Sequence, residues 1–350
     1  MRCPSFVGDA TAPAVRTAGA RGGLAAVARL HWLSPIAQPV STFLHHVELS
    51  SPLFLLVLVG YLLAASGRGP KAASDALAKF VFAVAVPALL FSLMSDFSKL
   101  PPVDARLLVA FFGGCLIVFA LGRVVGLLLG LNGVQQSVFA LGGIFANNVL
   151  LGVPIARATL GEAAMPSVAL VLVFNSLVLW TLVTVSVEWA RHGELSLRGF
   201  GETLRSVLAN PIVASVLAGA AFGLTGLPLP AFVGTPLALL GNSAIPLSLI
   251  VLGMGLAEYG IRSGWRVATA ITAIKLLVQP LVVWLLALLL DLPPVETQAV
   301  VLLAALSVGV NVYLMAREFD ALQGPVATSM VMSTALSALT VPLVLALVAQ

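Results

Sequence analysis

Charged residues are scarce in this sequence. They make up 9% of its 350 residues, whereas 60% are hydrophobic. A soluble chain of this length needs roughly 25% charged residues to cover its surface, so a soluble globular protein is excluded. Apolar runs of about 15–25 residues recur instead, and this length spans a bilayer core. The composition therefore predicts a polytopic, all-α membrane protein embedded in lipid.

Cysteine and histidine are also rare, with two and four residues respectively. Two cysteines give neither a disulfide framework nor a metal-ligand spacing. The histidines lie outside the centres of the predicted spans, so we expect no metal and no other cofactor: His31, His45, His46 and His192. A net charge of +4 is too small to indicate a nucleic-acid partner.

Acidic residues are absent from the predicted span centres and lie at span ends or in loops. Proton-coupled pumps usually carry the proton on an intramembrane carboxylate, so a carboxylate relay is disfavoured. Uniport, coupling through the substrate's own protonation, or coupling through neutral oxygen ligands fits better. The spans also lack paired aspartates and a G-x-S-x-G motif, so we do not expect an enzyme.

Ten apolar runs are separated by charged residues or by proline and glycine, and we predict a transmembrane helix for each. The approximate spans are 51–66, 74–95, 106–130, 136–158, 165–189, 207–224, 233–257, 265–290, 297–316 and 325–348. Residues 1–48 show no periodicity, and we expect a tail that is disordered or not part of the mature protein. A charged loop, 191–206, separates two groups of five helices, 49–190 and 207–350.

The two groups share an ordered set of residues. Pro52, Gly60, Pro87 and Pro166 recur 159 positions later as prolines and a glycine: Pro211, Gly219, Pro246 and Pro325. In the fourth and ninth spans the offset is 163, and "NNVLLG" aligns with "VNVYLM", so Asn148 matches Asn311. Because each repeat has an odd number of spans, the second enters the membrane inverted, as in secondary transporters.

Lysine and arginine in short loops predict the orientation of the chain. With both termini outside, the inside loops contain Arg68, Lys71, Arg191, Arg198, Arg205, Arg262, Arg266 and Arg317, whereas the outside loops contain only Lys99, Arg106 and Arg157. We therefore expect a multi-pass protein with periplasmic termini. Arginine outnumbers lysine, which favours a bacterial inner membrane.

The stretch "IFANNVLLGVP" interrupts the fourth span near the bilayer midplane. It places Asn147, Asn148, Gly152 and Pro154 inside an apolar run, and Asn311 lies at a comparable depth in the ninth span. Unwound backbone at this depth is tolerated only where it is buried or lines a cavity. Two opposed broken helices would direct their half-helix N-termini at one point, which suits a carboxylate. The alternatives are a simple kink or an asparagine that bonds to a neighbouring helix.

Three further residues complete the predicted substrate-binding set. Val310 adjoins Asn311, and Asn175 lies ten residues into the fifth span, where it either reaches the same cavity or bonds to another helix. Lys275 lies about ten residues into the eighth span. It is either a counter-ion for an anion or a side chain that snorkels to the cytoplasmic face or pairs with a helix. Arg123, in the third span, has the same alternatives.

Five motifs give the sequence a resemblance to a known family: "KFVFAVAVPALLFS", "NNVLLGVP", "NSAIPLSLIVLGMGLA", "VNVYLMAREF" and "TALSALTVPL". Together they resemble the auxin efflux carrier family, in its bacterial, malate-permease-like branch, over residues 50–350. The resemblance implies ten helices in two inverted repeats, a scaffold domain and a transport domain, and crossed fourth and ninth helices. It places Asn147, Gly152 and Pro154 on the fourth-helix signature and Asn311 on the ninth-helix crossover. Ser307 stands where such relatives often have proline.

The family resemblance also implies a small organic anion as substrate, either a dicarboxylate such as malate or malonate, or an auxin-like carboxylate. A homodimer is one expected assembly. Two alternatives remain at this point. One is a sodium-coupled symporter of the bile-acid type, and the other is a membrane sensor that binds a ligand without moving it.

Overall fold

The computed structural model describes residues 34–95, 104–192, 211–259 and 264–348. The chain divides into two compact units between Thr42 and Phe43, and the packing considered below is that of the unit from Phe43 onward. In the described residues the backbone is helical, with turns between helices and a single isolated β-bridge. The all-α prediction is therefore confirmed.

We number the helices α1 to α12 in chain order. The first six are α1 (Ser34–Ala65), α2 (Lys71–Ser95), α3 (Arg106–Leu128), α4 (Gly133–Ile144), α5 (Asn148–Leu160) and α6 (Met165–His192). The other six are α7 (Pro211–Leu224), α8 (Ala231–Tyr259), α9 (Trp265–Leu289), α10 (Pro294–Ala305), α11 (Val310–Glu318) and α12 (Gln323–Val348). Both α2 and α9 pass through one π-helical turn without a break, at Val81–Ala85 and Ile274–Val278.

Six of the described helices are long and apolar enough to cross a membrane: α1, α2, α3, α8, α9 and α12. Shorter apolar helices include α5, α7 and α10. The fourth predicted span corresponds to α4 and α5, and the ninth to α10 and α11. Each of these two spans is thus divided into two helices.

The first helix begins earlier than the sequence pattern indicates. It starts at Ser34 rather than near residue 51, because the polar residues between 41 and 50 hide a helical segment from a search for apolar runs. The predicted tail therefore overlaps α1 over residues 34–48. Residues 1–33, and the predicted loop from 193 to 206, lie outside the described residues.

The most completely buried segments are those around the two breaks. Residues 137–148 and 299–309 are buried at every position. Helix α9 packs against α3, α4, α10 and α12 and so reaches both broken pairs. This placement allows α9 to contact both helix ends that the breaks create.

Candidate functional site

Two helix interruptions meet inside the protein. Helix α4 starts with an Asn132–Gln135 capping box and ends at Ile144, after which Phe145 is extended and α5 begins with a π-helical turn at Asn148. Helix α10 ends at Ala305, and the extended residues Leu306 and Gly309 precede α11. Each interruption leaves backbone N–H and C=O groups without helical partners.

The two interruptions pair with each other, and this pairing gives some of these backbone groups hydrogen-bond partners. Ala146 and Val308 form an antiparallel bridge. The Asn147 N–H donates to the Ser307 carbonyl at 2.9 Å, and the Gly309 N–H donates to the Phe145 carbonyl at 2.8 Å. Main-chain hydrogen bonds therefore hold the two breaks together, as unwound backbone at membrane depth requires.

Glycine allows this close approach in the second break. A Cβ atom on Gly309 would lie 2.8 Å from the Ala146 carbonyl oxygen and 3.0 Å from its carbon. Gly152, beyond the first break, faces side chains instead, and its Cβ would lie 2.7 Å from Leu306 Cδ1. Both glycines thus lie where α4 and α5 contact α10 and α11. The atoms closest to an added Cβ belong to the main chain at Gly309 and to side chains at Gly152.

Side chains of α9 cap the carbonyl ends of both broken helices. The Gln279 amide donates through Nε2 to the Ile144 carbonyl, the last residue of α4, at 2.8 Å. The Lys275 ammonium donates to the Ala304 carbonyl, in the last turn of α10, at 2.5 Å. A carbonyl at a helix end needs a partner from outside the helix, and α9 supplies one to each.

A cavity of about 280 Å³ adjoins the bridge. Its polar side chains are four asparagines, Asn147, Asn148, Asn175 and Asn311, and none of its described lining residues is charged. The first residues of both α5 and α11 line it, so two helix N-termini lie at its wall. The rest of the lining is apolar: Phe82, Phe145, Ala146, Val149, Leu150, Leu172, Pro211, Ile212, Gly309, Val310 and Leu314.

The asparagines of the first break retain unused hydrogen-bonding capacity. Asn147 and Asn148 are 5% and 2% exposed. Among the described atoms, Asn147 Nδ2 and Asn148 Oδ1 have no partner, while Asn148 Nδ2 donates to Asn175 Oδ1 at 3.4 Å. An unpaired polar atom in a buried position costs free energy, so these two atoms are available to hydrogen-bond to whatever enters the cavity.

The structure brings together five of the eight residues that the sequence analysis selected. Asn147, Asn148, Asn175, Val310 and Asn311 all line the cavity. Gly152 and Pro154 are buried but do not line it. Gly152 ends the π-helical turn of α5, and Pro154 lies in the first turn of the α-helical part that follows. Both residues therefore contribute to the shape of the chain after the break. A binding role for these residues stays a prediction.

Lys275 is the third residue that does not line the cavity. Its side chain is fully buried, so it does not snorkel to the membrane surface. Arg123 instead binds side chains of neighbouring helices. Its Nη1 donates to Ser137 Oγ at 2.7 Å and to Ser186 Oγ at 2.5 Å, which is the helix-pairing alternative.

The partner of Gln279 and the apolar walls of the cavity are not evident from the sequence. Gln279 directly precedes Pro280, but its amide bonds to the Ile144 carbonyl of another helix rather than to the carbonyl that the proline leaves unpaired. The reason is tertiary, because α9 packs directly against α4. Phe82 and Ile212 carry no signal in the sequence that separates them from other apolar residues in the spans.

Helices long and apolar enough to cross a membrane, with a polar cavity beside two paired helix breaks in the described residues, are typical of membrane transport proteins. Comparison with protein families agrees. The family described as "Membrane transport protein" matches residues 45–345, and the chain belongs to this family. This confirms the resemblance to the auxin efflux carrier family.

Two relatives are similar over most of their length. A protein of Rhizobium meliloti (strain 1021) named "Putative malonate transporter" is 27% identical over 294 residues, which are 83% of this chain and 92% of the relative. A protein of Methanothermobacter thermautotrophicus named "Uncharacterized transporter" is 26% identical over 305 residues, which are 86% of this chain and 98% of the relative.

Proposed function

We propose that this protein is a secondary transporter of small organic anions that binds a carboxylate at the two helix breaks and moves it by alternating access. The observation that carries the proposal is the asparagine-lined cavity beside the Ala146–Val308 bridge. The buried amide Nδ2 of Asn147 is an unused donor there. A carboxylate oxygen is a suitable acceptor for it.

Helix ends favour an anion in this cavity even though none of its described lining residues is charged. Helices α5 and α11 both begin at its wall. The first turn of each helix leaves N–H groups without intrahelical partners and carries partial positive charge. Anion binding at helix N-termini follows from these two properties. A lining of neutral side chains binds the anion weakly enough to release it, which suits a carrier.

The volume of the cavity favours a small substrate. About 280 Å³ lies near the lower end of the roughly 300–1,000 Å³ typical of small-molecule sites. The free Asn148 Oδ1 accepts a hydrogen bond, so the site suits a ligand that also carries a donor. A hydroxy acid such as malate has both, and a dicarboxylate such as malonate has both when one of its carboxyl groups is protonated. The name of the Rhizobium meliloti relative supports malonate as the first substrate to test.

The transport cycle rests on the inverted repeat that the sequence pattern predicts. In this proposal, ten spans form two inverted five-helix repeats, and the fourth and ninth spans cross at the bilayer midplane. Reciprocal hydrogen bonds between the breaks support the crossing, because each break supplies one donor and one acceptor. Relative movement of two bundles around such a fixed site gives alternating access. We place the protein in a bacterial inner membrane with both termini periplasmic.

Flux through liposomes tests the proposal. Purified protein is reconstituted and offered labelled malonate, malate and a set of monocarboxylates, with and without sodium and pH gradients. We expect saturable uptake of at least one carboxylate above that of protein-free liposomes. Absence of flux for every carboxylate under every gradient would refute transport of organic anions, and carboxylate binding without flux would favour a sensor.

A further inference from the structure

Lys275 is a lysine enclosed within the protein. Its side chain is 0% exposed and belongs to the π-helical turn of α9. Its Nζ donates to the Ala304 carbonyl at 2.5 Å. The residues on either side of it in the chain, Ile274 and Leu276, are apolar and buried.

No carboxylate neutralises this ammonium group among the described residues, because the ion pairs found there involve Lys71, Arg106 and Arg157. A buried charge without compensation is strongly unfavourable. The compensation available to Lys275 is the carbonyl end of α10, where the last four C=O groups lack intrahelical partners and carry partial negative charge.

The carbonyl end of a broken membrane helix is a place where transporters bind a coupling cation. Half-helix C-termini and unwound carbonyls coordinate sodium or receive protons in such proteins. Here the end of α10 is occupied by the chain's own ammonium group. The equivalent end of α4 receives the neutral amide of Gln279 instead. An amine that can carry a positive charge therefore caps one break, and an amide that cannot caps the other.

We propose that Lys275 acts as a tethered cation that takes the place of a coupling sodium ion at the end of α10. This inference rests on the proposed transport function and names its coupling. The wild-type protein then needs no sodium for either folding or transport. Removing the lysine side chain opens a site of carbonyl oxygens that a small monovalent cation can fill.

Thermal unfolding of the purified protein tests the cation site without measuring transport. Lys275→Ala and Lys275→Ser are compared with wild type in sodium chloride and in N-methylglucamine chloride at equal ionic strength. We expect a Tm several degrees below wild type in N-methylglucamine, with a saturable partial recovery in sodium. The matched control is Lys71→Ala, since Lys71 has a side chain that is 75% exposed, and its Tm should not respond to sodium.

Recovery in sodium that is absent from wild type and from Lys71→Ala supports the proposal. Equal Tm values of the Lys275 variants in both salts overturn it. If neither Lys275 variant yields folded protein, the sodium dependence of the wild type decides whether the proposal holds. A Tm or a carboxylate flux that requires sodium overturns the tethered cation, and equal values with and without sodium support it. Failure of every flux measurement refutes the transport function alone, because the Tm comparison is independent of flux.

Discussion

The two helix breaks solve the same backbone problem with different chemistry. In the first break, the neutral Gln279 amide caps α4, and the chain resumes through a π-helical turn that contains Asn148. In the second, a lysine ammonium caps α10, and α11 resumes directly as an α-helix after Gly309. The breaks share a bridge but not their side chains.

This difference suggests a division of roles between the breaks. The first break contributes Asn147 and Asn148, whose buried amides face the cavity and keep unused atoms. The second contributes a half-buried asparagine, Asn311, and is capped by Lys275 of α9, which lies outside the cavity lining. The proposed function therefore concentrates substrate contacts on the first break, and the proposed tethered cation belongs to the second.

The largest expected effect comes from the glycines. Gly309→Ala places Cβ against the main chain of Ala146, whereas Gly152→Ala places it against the tip of Leu306. A side-chain tip can move, so Gly152→Ala should cost about 1–3 kcal/mol. Gly309→Ala should cost more, because it displaces the bridge itself. Size-exclusion yield and Tm in detergent measure both, and an equal loss would contradict the assignment of the main-chain contact to the second break.

Replacement of the cavity asparagines should have the next largest effect. Asn147→Ala and Asn311→Ala should lower the kcat/KM of carboxylate uptake by roughly 10- to 100-fold, the value of a hydrogen bond to a charged group. The effect at Asn147 should be the larger, because its side chain is 5% exposed. Asn242→Ala, at an exposed position in α8, is the matched control in liposome assays. Wild-type uptake in both variants would remove the cavity from the transport path.

Replacement of Lys275 tests whether its side chain contacts the substrate. Because Lys275 does not line the cavity, Lys275→Gln should leave the KM for carboxylate within about twofold of wild type. The glutamine amide still has a donor for the Ala304 carbonyl. Initial-rate uptake over a range of malonate concentrations gives the KM. A large rise in KM with unchanged Tm would mean that Lys275 meets the anion.

A smaller effect on stability than that of the glycines comes from a cap of the second break by α12. The Val308 N–H donates to Ser333 Oγ at 3.0 Å, so Ser333→Ala should lower the free energy of unfolding by about 1 kcal/mol. Ser337, equally buried, donates to the carbonyl of Thr334 in its own helix, and Ser337→Ala should cost less. Equal Tm losses for the two variants would argue against this cap.

The breaks themselves were predictable from the sequence. Paired asparagines with glycine and proline in an apolar run weaken a helix, and their alignment with Asn311 indicated a second break. Asn175 lines the cavity and also accepts a hydrogen bond from Asn148 of another helix, so both of its predicted alternatives are present. These predictions depend on local composition and on the repeat, both of which are read directly from residue order.

The partners of Lys275 and Gln279 were not predictable in the same way. Both lie in one apolar helix, and their partners are carbonyls 29 and 135 residues away in the chain. A backbone carbonyl carries no residue-specific signal, so only the packing of α9 against α4 and α10 reveals the contact. The start of α1 was missed because the search for spans relied on apolar runs, and polar residues near its beginning interrupt the run.

Equilibrium binding of labelled malonate to the purified protein tests the central claim most directly. The proteins to compare are the wild type, the double variant Asn147→Ala with Asn311→Ala, and Asn242→Ala. If the cavity at the two breaks is the carboxylate site, the wild type and Asn242→Ala bind malonate in a saturable manner and the double variant loses this binding while keeping its folded elution profile. Binding by the double variant with wild-type affinity would contradict the account.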